Sequence, residues 1–408
     1  MAGASVLVHS VLRSLHFSID FANKVNLPQW ARQVLASSVA TQAIITIIRP
    51  MITYRTLELD SSAFTVGLIA TVYALLPVLM ALSFGRWVSV IGEGRFVILG
   101  TASLGVSAIA LLFANSIPLL AVGAALSGMA HLACMVGGQT MVSLKSPTDK
   151  YDHYFGYYTF SASLGQMIGP IIGAIAAGST GVLPKSTSAA FVAALVLSAL
   201  ALVPVMNWRN EKPTVTVAKG DVGALRSAGK LLRNPRIFAA IYTSLAISSA
   251  ADILIVFLPL YGTEKSFSSF SIGAIIAIRA GASMLSRLSL GKLSNRYSTV
   301  KILVISNLIS VISCIAMAFA PNVISLAIIV AIAGFALGVG QPLTMSLVSQ
   351  ATAPTDRAMA VSARLTGNRL GQFIVPALAG LLAASAGASA VFIGMAALLA
   401  TTFIPPKG

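Results

Sequence analysis

Short motifs recur in this chain at a constant spacing of 206 residues, which is close to half of its length of 408. The recurring motifs are Gly85-Arg86 with Gly291-Lys292, Leu164-Gly165-Gln166 with Leu370-Gly371-Gln372, and Pro170 with Pro376. Both Gly-basic motifs follow an apolar segment. We therefore predict two tandem copies of one helical bundle, an arrangement that in membrane proteins encloses a cavity between the related halves.

The composition predicts a polytopic helical membrane protein. Apolar residues make up 57% of the chain and charged residues only 9%, and the mean hydropathy is +0.89. A soluble protein could not cover its surface with so few charges, and about 20 apolar residues suffice to span the hydrocarbon. Cys134 and Cys314 both fall in apolar segments, so no disulfide framework, metal site or cofactor is expected.

Hydropathy and short polar breaks predict twelve membrane spans. They lie at about residues 32–55, 63–84, 95–114, 117–144, 154–178, 187–207, 236–261, 268–290, 300–320, 323–349, 358–384 and 388–405. The predicted domains are an N-terminal cytoplasmic segment at 1–31, a six-helix bundle at 32–207, a linker at 208–235 and a second six-helix bundle at 236–408. Residues 1–31 lack the continuous apolar core of a signal peptide, and either an amphipathic surface helix or a frayed tail fits them.

The basic residues fix the predicted orientation. With both termini in the cytoplasm, the cytoplasmic segments hold 19 Lys and Arg residues, whereas the opposite side holds only Arg55, Lys185 and Lys265. This imbalance is the positive-inside signal and predicts a multi-pass protein of a bacterial inner membrane. The net charge of +16 does not indicate a nucleic-acid partner, because the basic residues form a girdle along the membrane rather than one patch.

Two copies of six spans, a basic central linker and a Gly-basic motif after spans two and eight resemble the major facilitator superfamily from about residue 32 onward. The segment 291–296 with Lys301 is similar to the family's loop signature, although Asn295 stands where the family prefers Asp. In the first half Ser89 and Val90 replace an acid and an arginine of that signature. The resemblance implies close helix approach and a cytoplasmic latch; simple positive-inside anchoring is the alternative. The implied gating residues are Gly85, Arg86, Arg95, Gly291, Lys292, Asn295 and Arg296.

Span five carries a glycine seam formed by Gly165, Gly169, Pro170 and Gly173. Glycines four residues apart share one helix face and allow close packing, and the proline removes a backbone hydrogen bond. The pattern is similar to the antiporter signature of the superfamily, which implies export. Generic small-residue packing is the alternative, and the arginine that many proton-coupled exporters carry early in span four is absent from residues 122–128.

Asp252 is the one acid of eleven that we place within the hydrocarbon; the others map to loops or to the N-terminal segment. It lies about 24 Å along span seven from Arg236, and Arg49 lies about 25 Å along span one from Arg32. The resemblance implies that these two spans meet at the external side of a cavity. We therefore predict that Arg49 and Asp252 pair there as an outer gate; two separately satisfied charges are the alternative.

Proton coupling is predicted at Asp252 and His131. Movement of Arg49 relative to Asp252 would change the affinity of the carboxylate for a proton. His131, near the middle of span four, titrates near neutrality in its unperturbed form; a packing role is its alternative.

Five arginines against one aspartate make the predicted interior basic, which favours an anionic or zwitterionic solute. Arg287 and Arg364 lie nearer the cytoplasm, where binding to helix-end carbonyls is the preferred interpretation. The predicted substrate-binding residues are Arg49, Arg279, Arg369, Asn368 and Gln139.

The combined prediction is a monomeric all-α secondary transporter of the superfamily's fold, with partners limited to a small solute, protons and lipid. Alternating access would export a small organic acid, zwitterion or drug against protons. The alternative is a proton symporter that imports an organic anion. An enzyme is not expected because no intramembrane catalytic set is present, a nucleotide-driven pump lacks its phosphate-binding loop, and a continuous channel fits two unequal polar halves poorly.

Overall fold

The computed structural model describes residues 27–60, 62–147, 150–210, 233–352 and 357–403, and these residues contain twelve α-helices. Each predicted span overlaps one of them, in order. The first half consists of α1 (Gln29–Leu59), α2 (Ala63–Ile91), α3 (Glu93–Leu112), α4 (Ile117–Lys145), α5 (Tyr151–Ala176) and α6 (Thr187–Val205). The second half consists of α7 (Pro235–Glu264), α8 (Ser269–Ser294), α9 (Thr299–Ala318), α10 (Val323–Gln350), α11 (Arg357–Ala386) and α12 (Ala388–Ala400). The N-terminal segment before residue 27 and most of the linker lie outside the described residues.

The last two helices form one continuous apolar stretch in the sequence. Within the described residues, eleven stretches are long and apolar enough to cross a membrane, and the last of them, Ala363–Phe403, contains most of α11 and all of α12. The chain breaks between them at Gly387, whose φ of 78° is a conformation that favours glycine. The Glu264 carboxylate then accepts the backbone N–H of Ala388 at 2.9 Å. An acid at a helix N-terminus is favourable, so this contact fixes where α12 begins.

The two halves meet through two equivalent contacts. A Cβ added at Gly67 of α2 would lie 2.5 Å from the Cα of Gly380 in α11. A Cβ added at Gly273 of α8 would lie 3.0 Å from the Cβ of Ala174 in α5. Each residue of one contact lies 206 positions from its counterpart in the other. The predicted duplication is therefore present in the fold, as two pseudo-symmetric bundles of six helices.

The glycine seam of α5 packs against α1 within the first half. A Cβ at Gly165 would lie 2.2 Å from the carbonyl oxygen of Val39, and one at Gly169 would lie 2.4 Å from that of Ala43. Real Cβ atoms do not approach backbone so closely, so only glycine allows these helices to touch here. The predicted close packing of the seam is confirmed.

Gly165→Leu is expected to destabilise the folded protein strongly. The new side chain would meet rigid backbone of α1, and overpacking of this kind costs about 1–3 kcal/mol or more. The measurement is the thermal unfolding temperature of purified protein in detergent. Gly156→Leu is the matched control on the same helix, because a Cβ at Gly156 would meet no atom within 4 Å. Equal unfolding temperatures for the two variants would contradict the packing argument.

Candidate functional site

A cavity of about 970 Å³ lies between the two halves and is lined by both. Its size suits a small organic ligand. At one end it is bounded by Arg49 and Asp252. At the other it reaches Glu93, Leu144 and Leu290, near the helix ends on the side where α6 ends and α7 begins. We call this side the linker end.

The halves are joined at the end opposite the linker. Thr53 of α1 donates its hydroxyl to the carbonyl oxygen of Val256 in α7 at 3.1 Å. Ser269, at the start of α8, donates its backbone N–H to the carbonyl oxygen of Gly181 at 2.8 Å. The cavity is therefore closed on this side and extends from there toward the linker end.

Arg49 and Asp252 form a bidentate ion pair at the closed end of the cavity. Arg49 Nη2 donates to Asp252 Oδ2 at 2.7 Å, and Nη1 donates to Oδ1. The two side chains are only 7% and 13% exposed. The predicted approach of these residues is confirmed, and two separately satisfied charges are excluded. Removal of either partner would leave the other as a buried charge without compensation, so each residue depends on the other for its stability.

A chain of polar side chains leads from this ion pair into the first half. The Arg49 guanidinium lies over the Tyr73 ring, 4.7 Å from its centroid. The Tyr73 hydroxyl lies 2.9 Å from His131 Nδ1, and His131 Nε2 lies 3.2 Å from Gln42 Nε2. Gln166 Nε2 donates to Gln42 Oε1 at 3.1 Å. The chain thus joins α1, α2, α4 and α5.

One hydrogen-bond arrangement satisfies all of these side chains together. If the Gln42 amide nitrogen faces the imidazole, Gln42 Oε1 accepts from Gln166, His131 Nε2 accepts from Gln42, and a proton on Nδ1 donates to the Tyr73 hydroxyl. His131 is thus a bonded member of a network, and its proton-coupling role stays a prediction.

Tyr73→Phe is expected to destabilise the protein, because it removes the hydroxyl that hydrogen-bonds to His131 Nδ1. A buried polar group left without its hydrogen-bond partner costs about 1–3 kcal/mol. The measurement is thermal unfolding in detergent. Tyr54→Phe is the control, since the Tyr54 hydroxyl is buried without a hydrogen-bond partner among the described residues. A larger loss of stability in Tyr54→Phe than in Tyr73→Phe would contradict the network.

The second half contributes a separate polar cluster around Arg364. Arg364 Nη2 donates to the carbonyl oxygen of Gln341 at 2.8 Å and to the Thr344 hydroxyl at 3.1 Å. Ser244 donates to Asn368 Oδ1 at 2.9 Å. The preferred interpretation, in which Arg364 binds helix-end carbonyls, is wrong in its position, because the Gln341 carbonyl that Arg364 contacts lies inside α10.

Two other arginines reach across the cavity to the first half. Arg369 Nη2 lies 3.8 Å from Met135 Sδ, while its Nη1 donates to Gln372 Oε1 at 2.9 Å. Arg287 Nη1 donates to the Ser163 hydroxyl at 3.0 Å, and its Nε approaches the carbonyl oxygen of Gly338 at 3.5 Å. These contacts hold both guanidiniums between the halves.

The cavity also contains an acid that sequence reasoning missed. Glu93, which we expected in a loop, begins α3, is only 3% exposed and lines the cavity. The helix begins two residues earlier than predicted, so Glu93 belongs to the helix and not to the loop.

The predicted substrate-binding residues Arg49, Arg279, Arg369, Asn368 and Gln139 all line the same cavity. The membrane position of Gln42 could have indicated the polar chain, because an amide in an apolar span needs a partner.

The predicted latch is absent at those gating residues whose surroundings the structure describes. A Cβ at Gly291 would meet no atom within 4 Å, so the close helix approach expected there is absent. The helices are apart at Gly291 because the cavity extends to the linker end. Lys292, Asn295 and Arg296 are exposed. Arg95 donates its Nε to the carbonyl oxygen of Arg209 at 2.8 Å, within the first half. Gly85 and Arg86 lie in α2, but their side-chain environment is outside the described part of the structure.

Comparison with known proteins gives consistent results. The family model of the Major Facilitator Superfamily matches residues 34–303 and 265–405. The chain is 26% identical over 307 residues to the multidrug resistance protein MdtG of Salmonella paratyphi C, covering 74% of each protein. The MdtG protein of Salmonella typhimurium is 25% identical over the same length and coverage.

Solved structures share the fold at low sequence identity. A POT family transporter in complex with 5-aminolevulinic acid has a TM-score of 0.75 at 16% identity, over 92% of this chain and 95% of that one. The nucleoside transporter NupG has a TM-score of 0.71 at 12% identity, over 91% and 97%. The family match spans nearly the whole chain, and this protein accordingly belongs to the major facilitator superfamily, a family of membrane transporters rather than enzymes.

Proposed function

We propose that this protein exports a small organic acid, zwitterion or drug in exchange for protons, by alternating access. The observation that carries the proposal is the buried Arg49–Asp252 pair at the closed end of a basic cavity. A carboxylate held by a guanidinium in a low-dielectric site can exchange that partner for a proton when the two separate. The name of the MdtG relatives, which are multidrug resistance proteins, supports export.

The orientation follows from the basic residues. The excess of Lys and Arg at the linker end supports a cytoplasmic position for that end, and in this orientation the cavity collects solute from the cytoplasm. A bacterial inner membrane and a monomeric state remain parts of the same proposal. The predicted domain division, with a linker at 208–235 between the bundles, also fits this arrangement.

The ion pair provides a route for coupling. In the inward-facing state Arg49 and Asp252 are bonded and close the outer end. An anionic solute that enters the cavity competes with Asp252 for the Arg49 guanidinium and weakens the closure. Once the halves separate on the outside, the free carboxylate takes up a proton. Release of that proton to the cytoplasm restores the pair after the solute has left.

The test is solute flux in proteoliposomes under an imposed pH gradient, with organic acids and cationic dyes compared as solutes. If the protein exchanges solute for protons, the acid should move in the direction opposite to the flow of protons. Movement of the acid in the same direction as protons would instead establish the alternative, a symporter that imports an organic anion. Flux that does not depend on the pH gradient would contradict both exchange and symport with protons. Transport of cationic dyes but not of acids would contradict the inference from the basic cavity.

A further inference from the structure

Arg279 differs from the other arginines that line the cavity. It is 5% exposed, lies on α8 and borders the cavity. Within the described part of the chain, no hydrogen bond or ion pair holds its guanidinium, and its Nε is buried without a partner. The other arginines of the cavity all have partners, among them Asp252, Ser163, Gln341 and Gln372.

A guanidinium that borders the cavity without a protein partner has donors free for a ligand, because no protein hydrogen bond has to break before an acceptor binds. Arg279 borders a cavity, so a ligand in that cavity can supply the missing acceptor. The planar guanidinium matches a carboxylate with two parallel hydrogen bonds. The unused donors of Arg279 therefore mark an anion-binding position.

Ser283 and Arg287 extend this position along α8. Residues four apart lie on the same helix face, and Arg279, Ser283 and Arg287 all line the cavity. Ser283 has a hydroxyl that makes no hydrogen bond to other described residues, whereas Arg287 is held by Ser163. Arg279 and Ser283 are thus neighbouring donors that remain available to a ligand.

The backbone that carries these donors is held tightly by α10. A Cβ at Gly334 would lie 2.5 Å from the carbonyl oxygen of Arg279, and one at Gly338 would lie 2.8 Å from the Cα of Ser283. Two glycines four residues apart thus clamp α10 onto α8. Because the backbone that carries Arg279 and Ser283 is held, anion binding has to order only the side chains and not the helix.

The charge of the cavity is uneven between its two faces. The second half contributes Arg279 and three further arginines against Asp252, whereas the first half contributes one arginine and Glu93. Most of the first-half lining is neutral and includes Met135 and Phe155. The cavity therefore offers a cationic face opposite a largely neutral one.

We propose that Arg279 and Ser283 bind the carboxylate of the transported solute, and that the solute is an amphipathic organic acid whose apolar body rests on the first half. This inference rests on the proposed role of the cavity in carrying solute. It concerns binding alone and requires no proton coupling.

The test compares matched probes in detergent by thermal shift and titration calorimetry. The probes are phenylacetate with phenylacetamide, and naphthylacetate with naphthylacetamide. The acids are expected to bind the unmodified protein more tightly than the amides. Arg279→Gln should weaken acid binding by about tenfold to a hundredfold, because hydrogen bonds to a charged group are lost, and leave amide binding nearly unchanged. Arg279→Lys should recover part of the lost affinity, since lysine keeps the positive charge but lacks the two parallel N–H donors of a guanidinium.

Arg364→Gln is the matched control, because it removes the same charge from the same cavity at a guanidinium already held by Gln341 and Thr344. The acid preference should persist in it. Equal binding of acids and amides to the unmodified protein, including no binding of either, would overturn the proposal. An acid preference retained in both Arg279→Gln and Ser283→Ala would overturn it as well. If Arg279→Gln fails to fold, the test uses Ser283→Ala, in which the acid preference should also fall. Loss of gradient-driven flux with acid binding intact would contradict only the proton coupling.

Discussion

Asp252→Asn is expected to abolish the response of solute flux to a pH gradient and to lower the stability of the protein. The amide cannot bind and release a proton in the physiological range, so the proposed exchange would lose the proton that moves opposite to the solute. It also leaves the buried Arg49 guanidinium without a counter-charge, and breaking a buried pair in this way costs about 3–5 kcal/mol. The measurements are flux in proteoliposomes with and without a gradient, and thermal unfolding in detergent.

Two variants separate the effects on coupling and stability. The double replacement Arg49→Met with Asp252→Leu removes both charges, so it should regain stability relative to Asp252→Asn while flux remains uncoupled. Glu58→Gln is the control variant, because it removes a carboxylate at the same end of the fold that is not part of the Arg49–Asp252 pair. Glu58 is partly exposed, and its ion pair is with Arg55. Gradient-driven flux that survives in Asp252→Asn would remove this residue from the proton pathway.

Cross-linking α1 to α7 at the closed end is expected to arrest transport. Thr53→Cys and Val256→Cys place thiols one helical turn beyond the ion pair, where the Thr53 hydroxyl contacts the Val256 carbonyl oxygen, and they leave Arg49 and Asp252 intact. Alternating access requires this end to separate. A short bis-methanethiosulfonate link should therefore hold the inward-facing state and abolish flux. The native Cys134 and Cys314 are both buried and are replaced by Ala in this experiment.

Reduction of the link should restore flux, and each single-cysteine variant treated with the same reagent serves as its control. Solute binding from the linker end should survive the link, because the cavity extends to that side. Undiminished flux through a fully cross-linked protein would show that the α1–α7 contact is not an outer gate. Loss of flux in the single-cysteine variants would show instead that the reagent itself obstructs the cavity.

Particular elements of the fold were predictable from the sequence because they depend on local composition. Each span needs about 20 apolar residues, and the described helices appear at the predicted positions in the predicted order. The partners Arg49 and Asp252 were predictable from depth along their helices, since a rise of about 1.5 Å per residue places both in the same layer. The family resemblance supplied the neighbouring positions of their helices.

Other features of the site depended on contacts that no local pattern encodes. Glu93 lies at the start of α3, and the packing of the helices around the cavity brings it to the lining. Gly291 lost its expected neighbour because this conformation is open at the linker end. His131 became part of a network only through Gln42 and Tyr73, which come from two other helices.

The sequence alone determined the duplicated bundle, the number of spans and the excess of basic groups, because hydropathy and charge are properties of each segment by itself. Only the tertiary structure decided which guanidiniums have partners. Arg49 is neutralised by an aspartate more than 200 residues away, whereas Arg279 is buried without a partner among the described residues. Those outcomes depend on side-chain directions and on the spacing between helices that are distant along the chain, and a few ångströms separate an ion pair from an unused donor.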